Sequence, residues 1–357
     1  MTVRSRRNPA PPPPRGPVVA VTGAATGLGR ALVERLAARD DLQGLVGLDR
    51  SVPRMDGVVW RACDVLDPVL AARLRGADTV VHLATTYDAA LPASERRATN
   101  VRGTELVLQA ARAAGASRVV LTTSADVWGA VPGRRVPLPD ASPATGGPDD
   151  TALVGDHVEV ERLAAQADGL RVTVLRPAVL VGGSLGRAYD GVLLRQLLTS
   201  PRLLAVRGIE PQWQLCHTDD LLAALELAAL GRVEGPLGVG CDGALPQSRV
   251  ETVSGRRRLE LPAEVALATA ERLHRSGVST ASPRELDHLL APLVVAADGL
   301  RAAGWVPGWT NESALAAYLA DRRGDGRPGA VTAAGATVAL MGTAALVRRV
   351  RRSRRGR

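Results

Sequence analysis

The sequence predicts an α/β protein built on a doubly wound parallel sheet, with a smaller C-terminal substrate lobe. The first observation is that short aliphatic runs alternate with amphipathic helical patterns as far as Pro177, which is typical of parallel strands joined by helices. The second is a glycine-rich turn directly after the first of these runs. The third is size, because 357 residues with 46% hydrophobic and 23% charged side chains indicate a folded chain larger than one minimal domain.

Six aliphatic runs are predicted as strands, and the longer patterns between them as helices. The predicted strands are Val18–Val21, Leu45–Leu48, Val58–Trp60, Thr79–Leu83, Arg118–Thr123 and Arg171–Leu175. The predicted helices are residues 27–39, 67–75, 92–114 and 151–168, followed after Pro177 by helices near 219–230, 262–276 and 311–322. In a doubly wound sheet the ligand crevice lies at the carboxyl ends of the strands, so we expect the later lobe to cover that crevice.

The same patterns divide the chain into segments. We expect a Rossmann-like nucleotide-binding domain over residues 17–177 and a substrate lobe over 178–322. The flanking segments are a disordered Pro/Arg-rich tail over 1–16, a linker over 323–328, an apolar helix over 329–347 and a basic tail over 348–357.

The positive charge of the chain is concentrated at its two ends. The formal net charge is +9, but residues 1–16 carry four arginines and residues 348–357 carry seven, with no acidic residue in either segment. The body between them therefore has a formal charge of −2, which argues against a specific nucleic-acid groove. Cys63, Cys216 and Cys241 match no metal or redox spacing and are expected to be buried thiols, so no metal site is predicted.

The glycine-rich turn, Thr22–Gly29, joins the first strand to the first helix. Glycines there allow the backbone to approach a pyrophosphate, and the helix N-terminus offers unpaired N–H groups and a positive dipole end. Asp49 ends the second strand, where a carboxylate can accept hydrogen bonds from both ribose hydroxyls. Together these features predict dinucleotide binding.

Further motifs follow in order over about residues 17–310. They are Gly47–Arg50, Cys63–Val65, Val80–Ala84, Thr99–Thr104, Val119–Gly129, Leu175–Ala178 and His217–Asp220. With the glycine turn, they resemble the short-chain dehydrogenase/reductase superfamily, in particular its extended branch of NAD-dependent epimerases and dehydratases. The resemblance implies cofactor contacts by Thr22, Gly23, Thr26, Gly27, Leu28, Gly29, Asp49, Arg50, Asp64, Val65, Leu83, Ala84, Asn100 and Pro177, and an active-site serine at Ser124.

The main departure from this family concerns its acid/base pair, a tyrosine four residues before a lysine. The tyrosine transfers the proton that accompanies hydride movement, and the ammonium lowers the pKa of the tyrosine. Alignment of the helix after Ser124 places Leu153 at the tyrosine position and His157 at the lysine position, and the chain contains no lysine at all. The spacing recurs only as Tyr318 with Arg322, in the terminal helix.

Three interpretations of this gap stay open. His157 is one candidate for a replacement acid/base. The alternative is that His157 is a helix-surface histidine paired with Asp156 or Glu161. Tyr87 is a second candidate, reaching the crevice from the loop after the fourth strand, against the alternative of a tyrosine that covers apolar surface. The third interpretation is a non-catalytic NAD(P)-binding sensor or scaffold associated with a membrane, in which Ser124 merely bonds the backbone.

Cofactor preference depends on two neighbouring residues. The Asp49 carboxylate would repel a 2′-phosphate, which favours NAD, whereas Arg50 could receive that phosphate in NADP. The sequence therefore predicts NAD over NADP. The family resemblance implies a small carbonyl compound or a nucleotide sugar as the substrate. His82, inside an aliphatic run, is expected to be a core histidine with satisfied hydrogen bonds.

The C-terminal segment raises the question of membrane contact. Residues 329–347 carry no charge and would span about 28 Å as a helix, close to the thickness of a bilayer core. Two alternatives are open for this segment. It could insert into the membrane as a helix, or it could form a small-residue helix that lies on anionic lipid or packs in a homodimer. The sequence predicts a cytoplasmic protein, with membrane association through residues 329–357 as the open question.

Overall fold

The structure is a computed structural model that describes residues 16–88, 91–145, 153–183, 202–266 and 290–324, together with positions 194, 197, 268 and 272. Within these ranges, seven parallel strands form one sheet: β1 (Val18–Thr22), β2 (Gly44–Asp49), β3 (Val59–Ala62), β4 (Thr79–His82), β5 (Arg118–Thr122), β6 (Arg171–Pro177) and β11 (Gly235–Val239). Their order in the sheet is β11-β6-β5-β4-β1-β2-β3. Strand order reverses between β1 and β4, which places the ligand crevice at their carboxyl ends.

Helices cover both faces of this sheet. They are α1 (Gly27–Ala37), α2 (Leu70–Leu74), α3 (Ala93–Arg97), α4 (Gly103–Ala113), α5 (Leu153–Ala165), α6 (Thr218–Ala229) and α8 (Asp298–Ala302). On one face, residues such as Leu32 of α1, Leu225 of α6 and Leu300 of α8 pack into a single core. On the other face, Leu74 of α2 and Val107 of α4 belong to a second core. The sheet is thus doubly wound, as the sequence predicts.

A smaller lobe lies beyond β6. It contains three short strand pairs: β7 (Val179–Val181) with β10 (Leu215–His217), β8 (Arg202–Val206) with β13 (Arg257–Leu261), and β9 (Gln212–Trp213) with β12 (Leu245–Pro246). Helices α7 (Gln247–Ser254) and α9 (Asn311–Gly324) complete its described part. Its apolar core includes Leu203, Trp213 and Tyr318.

All six predicted strands form, with ends that differ by one or two residues. The helix predicted over 67–75 is only Leu70–Leu74, because the Asp67 carboxylate accepts the Val69 N–H and forms a turn before the helix. The helix predicted over 92–114 contains a π-helical turn at Ala98–Arg102. Of the helix predicted near 262–276, the structure describes 263–266, 268 and 272 as helical, and the other positions after 266 lie outside the described residues.

The seventh strand, β11, is not among the predicted strands. It pairs in parallel with β6 over Gly235–Val239, so this part of the later sequence extends the first sheet. Its sequence, Gly-Pro-Leu-Gly-Val, has too little alternation to indicate a strand by itself. The two lobes are therefore interleaved along the chain.

Candidate functional site

The glycine-rich turn, Thr22–Gly29, has the backbone geometry that its glycines suggest, and we call it the phosphate turn after the ligand that the sequence predicts for it. Gly23 and Gly27 have φ values of +69° and +52°, which favour glycine. Helix α1 begins at Gly27 after Thr26, whose side chain makes no capping hydrogen bond, and the first turn carries no acidic residue. The N–H groups at this helix end can therefore bind an anion.

Close approach explains the other glycine, Gly29. A Cβ atom there would overlap the Gly23 carbonyl oxygen, and a Cβ on Gly23 would lie 2.7 Å from the backbone of Leu83 and Ala84. Leu83 and Ala84 follow β4, and the Leu83 N–H donates to the Thr22 carbonyl at 3.1 Å. The turn thus leaves no room for side chains, and it lies against the end of β4, as expected of a cradle for linked phosphates.

Asp49 connects the second strand to this turn. Its Oδ2 accepts the Ala25 N–H at 3.0 Å and its Oδ1 accepts the Ser51 N–H at 3.3 Å. Arg50 is exposed, with its Nε 3.9 Å from Asp64 Oδ2. The acidic side chain therefore lies beside the turn, whereas the arginine extends toward solvent and a second carboxylate.

The other predicted cofactor residues lie along the same edge of the sheet. Asp64 Oδ1 accepts the Leu66 N–H at 3.0 Å, and Val65 is buried near Gly103 at the start of α4. Asn100, in the π-helical turn, holds the loop after β4 with two hydrogen bonds to the Thr86 backbone, at 2.8 and 2.9 Å. Pro177 ends β6 opposite Val239 of β11.

Three of the candidate reactive residues lie close together. The Tyr87 hydroxyl donates to the Thr123 carbonyl at 3.2 Å, one residue before Ser124. The Tyr87 and His157 rings lie 5.5 Å apart, with an interplanar angle of 57°. Ser124 Oγ accepts the Asp126 N–H at 3.1 Å and caps a short 3₁₀ helix, Ala125–Trp128. Tyr87 therefore reaches from its own loop to the end of the serine strand.

The expectation of a helix-surface His157 paired with Asp156 or Glu161 is wrong. His157 is buried, and its Nδ1 has no hydrogen-bond partner among the described residues. Asp156 is fully buried and instead pairs with Arg96, at 2.7 Å, and with Arg97, at 3.4 Å. Glu161 pairs with a different arginine, on β6.

Burial also determines the charge of His157. It lowers the pKa of His157 from 6.5 to about 4, while the nearby Asp126 carboxylate raises the pKa and the Arg96 guanidinium lowers it by smaller amounts. The imidazole is therefore neutral at pH 7. It can accept a proton, but it does not supply the fixed positive charge of a lysine.

A buried ion pair that the sequence does not predict lies next to the end of the serine strand. Arg176 of β6 and Glu161 of α5 form a two-pronged pair, at 2.6 and 2.9 Å, with both side chains nearly buried. The Thr123 hydroxyl donates to Glu161 at 2.8 Å, and the Arg176 guanidinium lies 4.7 Å from the ring centroid of Trp128. In the sequence, the one feature that draws attention to Arg176 is its place directly before Pro177, and that feature does not predict the ion pair with Glu161.

The alternative tyrosine–arginine pair is remote from these groups. Tyr318 is buried in the apolar core of the small lobe, and the Arg322 guanidinium lies 5.3 Å from its ring centroid. Leu153, at the tyrosine position of the resemblance, is the first described residue of α5 and carries no titratable group. Among the described residues, Tyr87, His157, Ser124 and Asp126 therefore offer better candidates for proton transfer than Tyr318 or Leu153.

The sheet order, the glycine cradle and the adjacent Asp49 define a dinucleotide-binding protein of the Rossmann type. Comparison with known proteins is more specific. The family model described as "NAD dependent epimerase/dehydratase family" matches residues 19–237. The chain belongs to this family.

The relatives and similar structures span most of the chain. An uncharacterized protein of Mycobacterium tuberculosis is 30% identical over 325 residues, covering 85% of this chain and 84% of that protein. A UDP-glucose 4-epimerase of Thermotoga maritima, crystallised with UDP-glucose, is 16% identical, with a TM-score of 0.64 over 86% of this chain and 99% of that one. A dTDP-glucose 4,6-dehydratase of Bacillus anthracis in complex with NAD is 13% identical, with a TM-score of 0.63 over 87% and 97%.

Proposed function

We propose that the protein is an NAD-dependent oxidoreductase of the epimerase/dehydratase type that uses Tyr87 and His157 in place of the tyrosine–lysine pair. The observation that carries the proposal is the meeting of the Tyr87 hydroxyl with the Thr123 carbonyl, while the same ring lies 5.5 Å from the His157 ring. Two groups that can move protons are thus brought to the end of the serine strand by a loop and a helix that are distant in sequence.

The residues of the phosphate turn fit NAD. The tightly packed Gly23 and Gly29, the open N-terminus of α1 and the Asp49 carboxylate would hold its pyrophosphate and adenosine ribose. Asp49 lies beside the turn and would repel a 2′-phosphate, so NADP is the weaker ligand in this proposal. When bound, NAD supplies hydride transfer to and from a hydroxyl-bearing carbon of the substrate.

The protein must then move the proton of that hydroxyl. Neutral His157 can accept a proton, and the Tyr87 phenol, beside it, can donate one when its O–H leaves the Thr123 carbonyl. The Ser124 oxygen already accepts the Asp126 N–H, so the Ser124 hydroxyl hydrogen is available to the substrate oxygen. Asp126 raises the pKa of His157 and so would stabilise its protonated form during the reaction.

A nucleotide sugar is the substrate class that we favour. The Thermotoga epimerase was crystallised with UDP-glucose, and the Bacillus enzyme is named for dTDP-glucose. Both align with this chain across the sheet and the later lobe. Other small carbonyl compounds remain the alternative substrate class.

The test is turnover by the full-length protein supplied with NAD and a panel of UDP- and dTDP-sugars, monitored by product analysis and nicotinamide absorbance. We expect Tyr87→Phe and His157→Gln each to lower kcat about 100-fold or more, with NAD affinity retained. Tyr318→Phe is the matched control, because Tyr318 lies in the small-lobe core. Loss of activity in that control, or full activity in both site variants, would exclude the assigned pair.

The absence of lysine supports a second candidate, a non-catalytic NAD-binding sensor or scaffold. Micromolar NAD binding without turnover on the whole panel would favour it. Membrane contact belongs to this alternative, but residues 329–357 lie outside the described residues, and among the described helices none is long and apolar enough to cross a membrane. Sedimentation with anionic vesicles, lost on deleting residues 329–357, would support such contact. Light scattering would report a homodimer.

A further inference from the structure

A fully buried carboxylate, Asp156, lies in the first turn of α5, directly before His157. Its Oδ2 accepts a hydrogen bond from Arg96 Nε at 2.7 Å, and its Oδ1 accepts one from Arg97 Nη1 at 3.4 Å. Burial raises the pKa of Asp156, and the two arginines offset part of that rise. Two guanidinium groups thus share one carboxylate, which makes a charge at this depth tolerable.

Asn100 connects this carboxylate to the loop that carries Tyr87. The buried Asn100 side chain accepts the Thr86 N–H at its Oδ1, at 2.8 Å, and donates from its Nδ2 to the Thr86 carbonyl, at 2.9 Å. The same Nδ2 lies 3.5 Å from Asp156 Oδ2, a long hydrogen bond to a charged acceptor. Asn100 therefore bridges the residue before Tyr87 and the residue before His157.

All the partners of the Asn100 amide require the same orientation. If the amide turned over, its oxygen would face both the Thr86 carbonyl and the Asp156 carboxylate, and its NH2 group would face the Thr86 N–H. Each of these contacts would be repulsive. The charge of Asp156 thus favours the orientation in which Asn100 binds both backbone groups of Thr86.

The partners of Asp156 come from one short segment of the chain. Arg96 lies in α3, and Asn100 lies in the π-helical turn that directly follows it. The two residues are about one helical turn apart, so both side chains reach α5 from the same side. Turns of π-helix are rare and are often found at functional sites.

Satisfied polar atoms distinguish Asp156 and Asn100 from two neighbouring histidines. His82 Nε2 and His157 Nδ1 are buried, and neither has a hydrogen-bond partner among the described residues. The expectation that His82 has all its hydrogen bonds satisfied is therefore wrong for its Nε2. No described group holds the His157 ring through Nδ1, so the position of that ring depends on the backbone of α5, which Asp156 anchors.

We propose that Asp156 is a positioning residue that, through Asn100, sets the separation of the Tyr87 and His157 rings. The backbone before Tyr87 is held by Asn100, and the backbone before His157 carries Asp156 itself. The 5.5 Å separation of the two rings follows from these two anchored segments. The effect on catalysis rests on the proposed function, whereas the positioning itself does not.

The experiment measures nuclear Overhauser effects (NOEs) between rings in the full chain, deuterated except for tyrosine, histidine and tryptophan. The wild type should show an NOE between Tyr87 and His157. Asp156→Asn should weaken this NOE, because Arg96 and Asn100 lose the charged acceptor that holds them. The NOE between His217 and Trp309, whose rings stack at 3.8 Å away from α5, should persist and thereby show that the variant is folded.

Glu159→Gln is the matched control. Glu159 lies on the same helix and also pairs with an arginine, but its described hydrogen bonds run to Arg162 and none to Asn100 or Thr86. This variant should leave the NOE between Tyr87 and His157 unchanged.

Three results would overturn the proposal. They are no NOE between Tyr87 and His157 in the wild type, an unchanged NOE in Asp156→Asn, and an equal loss in Glu159→Gln. If Asp156→Asn does not fold, Arg97→Gln removes one partner of the same carboxylate from a partly exposed side chain. It should weaken the NOE to a smaller extent, and an unchanged NOE in Arg97→Gln would also overturn the proposal.

Turnover distinguishes this proposal from the proposed function. In an active enzyme, Asp156→Asn should lower kcat about tenfold and change the Kd for NAD by less than about twofold, because the phosphate turn is untouched. A weakened NOE with unchanged kcat would support the positioning and reject Tyr87 and His157 as the acid/base pair. A weakened NOE in a protein that turns over no substrate would support the positioning and reject the proposed function alone.

Discussion

Mild acid should destabilise this protein through two of its buried histidines, His82 and His157. Burial lowers the pKa of both His82 and His157 from 6.5 to about 4, so the folded protein keeps them neutral at pH 5, whereas the unfolded chain protonates them. Unfolding then takes up protons. The free energy of unfolding therefore falls as the pH drops from about 6.5 to about 4 and is insensitive to these groups above about pH 7.

The magnitude follows from the two pKa values of each group. Between pH 8 and pH 5, each histidine should lower the free energy of unfolding by about 2 kcal/mol, and the two together by about 4 kcal/mol. Urea unfolding at both pH values measures this loss for the wild type, His82→Gln and His157→Gln. Carboxylates contribute to all three proteins alike, so the comparison isolates the histidines.

Each glutamine variant should lose about 2 kcal/mol less than the wild type over this pH range, whatever its stability at pH 8. Parallel pH dependences of the wild type and both variants would refute the reasoning, because they would mean that the imidazoles are protonated in the folded protein as readily as in the unfolded chain. A reduced loss in one variant only would assign the neutral buried state to that histidine alone.

Three further predictions concern the cofactor cradle and its support. Gly29→Ala should abolish NAD binding in calorimetry, because the new Cβ would overlap the Gly23 carbonyl oxygen in the turn. Gly44→Ala is the control: its Cβ would contact only the Val18 side chain, at 3.6 Å, and NAD binding should be unchanged. Asp49→Asn should weaken NAD binding about tenfold and reduce the ratio of NAD affinity to NADP affinity, as measured by titration with both nucleotides. An unchanged ratio would contradict the proposed role of the carboxylate. Glu161→Gln should cost about 3–5 kcal/mol in urea unfolding, because Arg176 would remain buried and unpaired, whereas Glu312→Gln, in an exposed pair, should cost less than about 1 kcal/mol.

The strands and the phosphate turn could be predicted because their signals are local. An aliphatic run between turns indicates a buried strand wherever it lies in a parallel sheet. Gly23 and Gly29 are required by contacts within the turn and with the next strand, so the motif itself carries the geometry. β11 could not be predicted in this way, because Gly235–Val239 becomes a strand by pairing with β6, more than fifty residues earlier.

The reactive groups could be nominated from sequence, but their environment could not. The helical pattern of α5 does not reveal that Asp156 is buried, because Arg96, sixty residues earlier, supplies the charge that makes burial tolerable. Once Asp156 faces inward, His157 is buried beside it and cannot act as a surface residue.

The replacement at the lysine position changes the electrostatics of the site as well as its shape. The lysine of the family would place a cation beside the proton donor and lower the pKa of that donor. His157 is neutral instead, and Arg96, the arginine whose charge acts on it, is paired with Asp156. A tyrosine at position 153 would therefore lack the neighbouring cation that lowers its pKa. In the proposed site the phenol is instead that of Tyr87, whose ring lies 5.5 Å from the ring of the neutral His157. A neutral imidazole beside a phenol is therefore the pair that the proposed mechanism uses in place of the lysine and tyrosine.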